Sequence, residues 1–142
     1  MPADEIQIEV DGYPTTSFPL DEYGRPKYPG LVVFSTEDAI SSDPDLMQGF
    51  VSATIKGYDD TIADPQAGLD ALLKENPAIP EKFAKASLDA YMPLFKAGTD
   101  QFGSFNTDDL ESLSQFMVDN DLASEPIAPD RYATNEFVDG SK

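Results

Sequence analysis

The chain contains no cysteine, no histidine and no tryptophan, and it sets only nine basic side chains against 27 acidic ones. Each absence closes a class of chemistry. Without cysteine there is no disulfide and no thiol nucleophile. Without histidine there is no Ser-His-Asp triad, and without either there is no zinc site of the usual nitrogen–sulfur type. The lack of cysteine suits an exported protein and a cytosolic one equally, so it does not fix the compartment. The shortage of positive charge gives a net charge of −18, with Arg25 and Arg131 as the two guanidinium groups. No nucleic acid partner is expected, because neutralising phosphates needs clustered Lys and Arg. The same charge repels an anionic lipid surface. No run approaches the roughly 20 apolar residues needed to span a bilayer. The opening Met1 to Glu5 has neither a basic nor an apolar stretch, so no signal peptide is expected here.

What is present argues for a folded domain. A hydrophobic content of 40% and an aromatic content of 11% over 142 residues are enough for one real core, despite 12 prolines. Residues 5–10 (EIQIEV) alternate apolar and polar, which predicts a short half-exposed strand or the first turn of a helix. Asp11-Gly12 marks a turn, and residues 15–20 (TTSFPL) read as a second short extended piece. The stretch 21–30 (DEYGRPKYPG) reads as an ordered loop. LVVFS (31–35) is a continuous β-prone run that predicts a strand buried on both faces.

The rest predicts helices. Asp43-Pro44 and Asp64-Pro65 each pair a capping side chain with proline at the first helical position. The first of these helices carries Leu46, Phe50, Ala53, Ile55, Tyr58 and Ile62 as its apolar side, and the second ends near Asn76-Pro77. Pro80 opens a third helix that Pro93 kinks or ends. Residues 97–106 form a linker, and Thr107 is expected to cap a fourth helix with a stripe of Leu110, Leu113, Phe116 and Met117. A last short helix is expected around Thr134 to Val138. One buried strand followed by helices cannot satisfy its own backbone groups, so its sheet must come from preceding sequence or from another chain.

The order of these features matters as much as their content. A glycine follows a short acidic segment (Gly12), then FPLDEYGRPKYPGLVVFSTEDAI, then a helix with Pro44, Phe50, Ala53, Gly57, Tyr58, Asp64 and Pro65 at fixed spacing, and finally RYATNEFV near the end. From Gly12 onward the chain thereby resembles the thiamine-precursor family of solute-binding proteins of ABC importers. That family also includes a fungal pyrimidine synthase and relatives binding riboflavin, sulfonates or nitrate-like solutes. The resemblance implies an α/β fold, the C-terminal portion of a type II periplasmic-binding-protein fold, mostly helical with a few strands. Residues 1–30 would be the end of the second lobe and a hinge crossing. Residues 31–142 would be the C-terminal strand and helices of the first lobe. The implied partners are a small heteroaromatic solute such as a thiamine pyrimidine precursor, an ABC permease, and the N-terminal half of the same protein. The implied place is periplasmic or extracellular, lipid-anchored at the membrane surface. A cytosolic pyrimidine-synthase-like enzyme of the same fold is the alternative, weakened by the lack of histidine. A helical interaction domain is another.

Four residues stand out as candidate ligand contacts. The resemblance places Glu5 where thiamine-precursor binders have a glutamate, whose carboxylate would accept hydrogen bonds from an aminopyrimidine edge; the alternative is a solvated acid. Tyr23 and Tyr28 flank the Gly-Arg-Pro segment and would stack on a flat ring or pack the hinge. Arg25 would hold an anionic ligand group or pair with a nearby carboxylate. Phe50, Tyr58, Phe83 and Tyr91 lie at helical spacing and are expected in the core. Asp59-Asp60 and Asp108-Asp109 lack the alternating oxygens of a calcium loop and read as solvated faces or caps. No catalytic residue, metal site or cofactor is expected.

Overall fold

Two aspartate–proline junctions organise the middle of the chain, whose computed structural model describes residues 3–95 and 101–139. Asp43 closes one helix and opens the next. Its N–H donates to the Ala39 carbonyl at 3.2 Å, ending α2 (Glu37–Ser42), and its carboxylate accepts the Leu46 N–H at 3.0 Å, starting α3 (Pro44–Ala63). Asp64 repeats the device. Its N–H donates to Asp60 at 2.9 Å and its carboxylate accepts the Ala67 N–H at 3.0 Å, starting α4 (Pro65–Glu75). At both junctions the proline occupies the position where a backbone N–H would have no intrahelical acceptor, so its missing donor costs nothing.

The other helices follow from equally local causes. In α1 (Ala3–Val10), Asp4 and Glu5 complement the positive end of the helix. The predicted turn then closes it: Gly12 stands at φ 93°, which lets the Tyr13 N–H reach back to the Ile8 carbonyl at 3.1 Å. α5 (Glu81–Tyr91) follows Pro80 and passes into a 3₁₀ turn at Met92–Leu94, where Pro93 ends regular α-helix. α6 (Thr107–Asp119) is capped by Asn106, whose Oδ1 accepts the Asp109 N–H at 3.1 Å. α7 (Glu136–Asp139) is the expected last short helix. α2 was not foreseen; Thr36 caps it, its hydroxyl accepting the Ala39 N–H at 3.2 Å.

The chain groups into two compact units, Met1–Ser17 with Ala53–Ala97 and Phe18–Ser52 with Gly98–Lys142. In the first, α5 packs against both α1 and α4, and the core is Ile6, Ile55, Leu69 and Ala84. Lys82 adds a polar tie, its ammonium donating to the Val10 carbonyl at 2.8 Å, one of the groups that the end of α1 leaves unpaired. In the second, Leu110 and Val138 are buried. Three side-chain amides pin the closing segment. Asn135 accepts the Phe105 N–H at 2.8 Å and donates to the Phe105 carbonyl at 3.0 Å. Gln48 donates to Phe137 O at 2.8 Å, and Gln101 to Val138 O at 2.9 Å.

Several expectations need correction. The α/β expectation fails in its strands: no β-strand occurs among the described residues. Residues 5–10 take the helical alternative, because Ile6 and Val10, four apart, face inward while Ile8 is exposed. Residues 15–19 are irregular, and Leu20–Tyr23 form a 3₁₀ turn. Residues 32–35 have no regular structure, and Leu31–Phe34 are all exposed. Thr107 is the first helical residue, not the cap, because Asn106 one position earlier supplies the side-chain acceptor. Phe50, expected in the core, is 56% exposed; Tyr58, Phe83 and Tyr91 are half-buried. Met117, at the edge of its stripe, is also exposed. Most of the expected linker, residues 96–100, lies outside the described residues.

Burial therefore predicts an order of mutational cost different from that of the helical pattern. Leu69 is 3% exposed, so Leu69→Ala should destabilise the chain by about 2–5 kcal/mol. Phe50→Ala should cost about 1 kcal/mol, despite removing a larger side chain. Urea unfolding of both variants checks this; a Phe50→Ala cost equal to or above that of Leu69→Ala would place Phe50 in a core after all.

Candidate functional site

Glu5 is half-buried on α1, and its own chain already engages one of its oxygens. The Ser17 hydroxyl donates to Glu5 Oε1. The Thr15 hydroxyl lies 3.3 Å from the same oxygen and 2.7 Å from Glu9 Oε1, and its single proton favours the nearer carboxylate. Glu5 Oε2 accepts nothing from the described residues. The carboxylate is thus oriented by Ser17 through one oxygen, with the other left as an acceptor. Glu5 belongs to the first compact unit; the other three candidates belong to the second.

Tyr23, Arg25 and Tyr28 are positioned by one turn. The 3₁₀ turn Leu20–Tyr23 ends at Gly24, whose φ of 91° and ψ of 3° lie in the left-handed region. This geometry carries the Arg25 N–H back to the Leu20 carbonyl at 3.1 Å. Beyond the turn, the Arg25 guanidinium carbon lies 4.3 Å from the centre of the Tyr28 ring. Tyr23 points elsewhere: it is exposed and tilts at 57° against Phe18, ring centres 6.4 Å apart.

The structure therefore brings Arg25 and Tyr28 together and keeps Tyr23 in a separate aromatic pair. It also corrects the expected carboxylate partner of Arg25, which has none within 4.0 Å among the described residues. Arg25 Nε is buried without an acceptor. Arg25 instead stacks on Tyr28: the short Arg25–Tyr28 spacing makes the stack local, and a delocalised guanidinium tolerates a ring face well. Together the pair offers an exposed ring edge and a cation, an arrangement that can receive a planar or anionic group.

A second feature escaped the sequence reading. A groove of about 350 Å³ lies between α3, α4 and α5, lined by residues including Gly57, Tyr58, Thr61, Leu69, Leu88 and Phe95. Tyr58 and Phe95 meet edge to face, centres 4.8 Å apart. Its lining is mainly apolar, and the Thr61 hydroxyl is already donated to the Gly57 carbonyl at 2.8 Å. The Gly57-Tyr58 step was visible as part of the family pattern, but a groove depends on how three helices pack and leaves no local signal. Of the acidic pairs, Asp60 bonds Lys56 at 2.7 Å on an open helix face, a contact that raises the Lys56 pKa by hydrogen bonding and then by charge. Asp108 and Asp109 lie in the first turn of α6. No cluster of three or more acidic side chains fit to hold a metal ion occurs among the described residues. None of the described helices is long and apolar enough to cross a membrane.

Comparison with known proteins places these features in context. Residues 2–68 match the family described as NMT1/THI5 like. The formylaminopyrimidine-binding protein of Halalkalibacterium halodurans is 22% identical over 124 residues, covering 84% of this chain and 38% of that protein. The riboflavin-binding protein RibY of Chloroflexus aurantiacus is 31% identical over 114 residues, covering 74% of this chain and 32% of that protein. The chain thus spans about a third of the length of the curated relatives it matches. Both relatives are named as binding proteins, not as enzymes. The family resemblance read from Gly12, the Asp-Pro junctions and the Gly57-Tyr58 step agrees with these matches.

The Arg25–Tyr28 stack gives a direct test of the local geometry. A double-mutant cycle of Arg25→Ala and Tyr28→Leu, followed by urea unfolding, should return a coupling of about 0.5–1 kcal/mol. Coupling indistinguishable from zero would show that the two side chains act independently.

Proposed function

We propose that this chain, a relative of the NMT1/THI5-like proteins, is part of a solute-binding protein that captures a small heteroaromatic solute, such as a thiamine pyrimidine precursor, for an ABC permease. The observation that carries the reading is that two proteins aligning with 84% and 74% of the chain are named for binding formylaminopyrimidine and riboflavin. Both ligands are planar nitrogen heterocycles, which suit recognition by a ring face and an edge-on acceptor. Two separate groups of candidate residues, one in each compact unit, are each compatible with part of that chemistry. Glu5 presents one oxygen while Ser17 holds the other, and Tyr28 carries an exposed ring beside the Arg25 cation.

The architecture that goes with this function is a type II periplasmic-binding fold. Residues 1–30 would form the end of the second lobe and a hinge crossing, and residues 31–142 the closing part of the first lobe. The place would be periplasmic or extracellular, with the whole protein lipid-anchored at the membrane surface. No catalytic group is required, since capture and release need only reversible contacts.

Glu5 supplies the discriminating test, made in the protein extended by the portion that the aligned relatives carry outside this region. Glu5→Gln keeps the shape but replaces an acceptor oxygen with a donor amide, which would face a donor of the ligand. Titration calorimetry with hydroxymethylpyrimidine, its formylamino analogue, riboflavin and a simple sulfonate should show tight binding of at least one ring ligand. The substitution should weaken it by roughly 1.5–3 kcal/mol, or about ten- to a hundredfold. Tyr23→Phe should matter less, since the ring survives. Tight sulfonate binding indifferent to Glu5 would reject the heteroaromatic assignment, and no binding of any of the four would reject this ligand class altogether.

A further inference from the structure

The segment after α1 returns along the helix with its hydroxyls in register with two of the helix's acids. Gly12 reverses the chain, and the Tyr13 N–H bonds back to the Ile8 carbonyl at 3.1 Å. Thr15 then donates to Glu9 and Ser17 to Glu5, so two steps along the returning chain answer four steps along α1. The spans match, since a helix rises about 6 Å over four residues and two residues of chain reach at most about 7 Å. Each acid thus has its own hydroxyl. Thr15 lies 2.7 Å from Glu9 Oε1 and 3.3 Å from Glu5 Oε1, so its one proton serves Glu9 and leaves Glu5 to Ser17. No Lys or Arg lies within 4.0 Å of Glu5 among the described residues, so no neighbouring cation offsets its charge.

We propose that Ser17 is a positioning residue for solute recognition: by donating to Glu5 Oε1 it fixes the carboxylate so that Oε2 meets an N–H donor on the edge of an aminopyrimidine. This rests on the reading of Glu5 as a ligand contact. The backbone beneath Glu5 is already held, because α1 packs on α5 and Lys82 ties the end of α1 through the Val10 carbonyl. What is left to orient is the side chain. A glutamate has three rotatable bonds and gives up that freedom when it binds. Ser17 removes part of that loss in advance. A hydroxyl suits the task, since it donates one proton and brings no charge. A lysine in its place would orient the carboxylate too, but would weaken its pull on a ligand donor.

Titration calorimetry tests the proposal in the protein extended by the portion that the aligned relatives carry outside this region. The ligands are hydroxymethylpyrimidine, which bears an exocyclic amine, the same ring without that amine, and riboflavin. Ser17→Ala should weaken binding of the amine-bearing ring about tenfold, and Ser17→Thr, which keeps the donor, should restore it to within about threefold. Binding of the ring without the amine should fall less than about twofold. In the Glu5→Ala protein, Ser17→Ala should have no further effect, because no carboxylate remains to be positioned. Thr15→Val, which removes the neighbouring hydroxyl, should change affinity less than about threefold. A purely structural tie behaves differently: Ser17→Ala would then weaken both pyrimidines alike, and would do so in the Glu5→Ala protein as well. That result, or full affinity in Ser17→Ala, would overturn the proposal and leave the functional reading standing. So would binding of riboflavin without binding of the amine-bearing ring. No binding of any of the three by the unsubstituted protein would reject both together.

Discussion

Helix α5 is the support on which the first compact unit depends. It packs against α1 on one side and α4 on the other, although α1 lies more than 70 residues earlier in the chain. Ala84, 3% exposed, is what lets neighbours come close, since a methyl group fills the contact and a larger side chain would hold the helices apart. Around it, Ile6 from α1 and Leu69 from α4 bury themselves, and Lys82 closes the end of α1 by donating to Val10. Hydrophobic burial and the capping of an orphan carbonyl thus meet on one helix. The placement of α1 in turn decides where Glu5 sits, so a candidate binding residue depends on packing far from it in sequence.

The features legible in the sequence were those with local causes. Asp43-Pro44 and Asp64-Pro65 specify helix starts through contacts three residues long, and Pro93 stops α5 through its own ring. Asn106 was missed in favour of Thr107 because both are competent caps and only geometry separates them. Strands were less legible because their partners are never local. EIQIEV satisfies two periods, and the choice went to the helical one, which buries Ile6 and half-buries Val10 in a helix that packs against α5. LVVFS was read as a buried strand, but it is irregular and exposed, because propensity cannot make a sheet without neighbours. Phe50 was assigned to a core from its spacing, but it is exposed, since helical spacing alone does not set how deeply a side chain is buried.

The candidate ligand contacts, taken unit by unit, divide along the same line. Arg25 and Tyr28 are three residues apart, so their stack is set by one turn at Gly24 and was within reach of sequence reasoning. That Arg25 would have no carboxylate within 4.0 Å among the described residues was not, because 27 acidic residues made an ion pair the default expectation. Glu5 and Ser17 are twelve apart and meet after the chain reverses at Gly12. Nothing in the residue types announces that bond, yet it turns Glu5 from a solvated acid into an oriented acceptor.

In the proposed binding protein, the order of residues 29–35 and recognition by Arg25 and Tyr28 would be coupled by their positions in the chain. Tyr28 stands three residues before Leu31, and Gly24 stands one residue before Arg25. The turn at Gly24 already fixes the N-terminal side of the Arg25–Tyr28 pair. The C-terminal side runs directly into residues 31–35, which no backbone–backbone hydrogen bond holds among the described residues. If residues 31–35 are held in order, the pair is anchored at both ends, and a ligand meets a ring and a cation that have already lost their conformational freedom. If they are not, binding must also meet the ordering cost of about 1–2 kcal/mol for each backbone residue it fixes. With several residues between Tyr28 and Ser35 to order, that cost is comparable to a micromolar binding free energy of about 8 kcal/mol. On the proposed reading, the apolar run beside the pair would bear on affinity without touching the solute. Its ordering would then decide how far the Arg25–Tyr28 pair is preorganised.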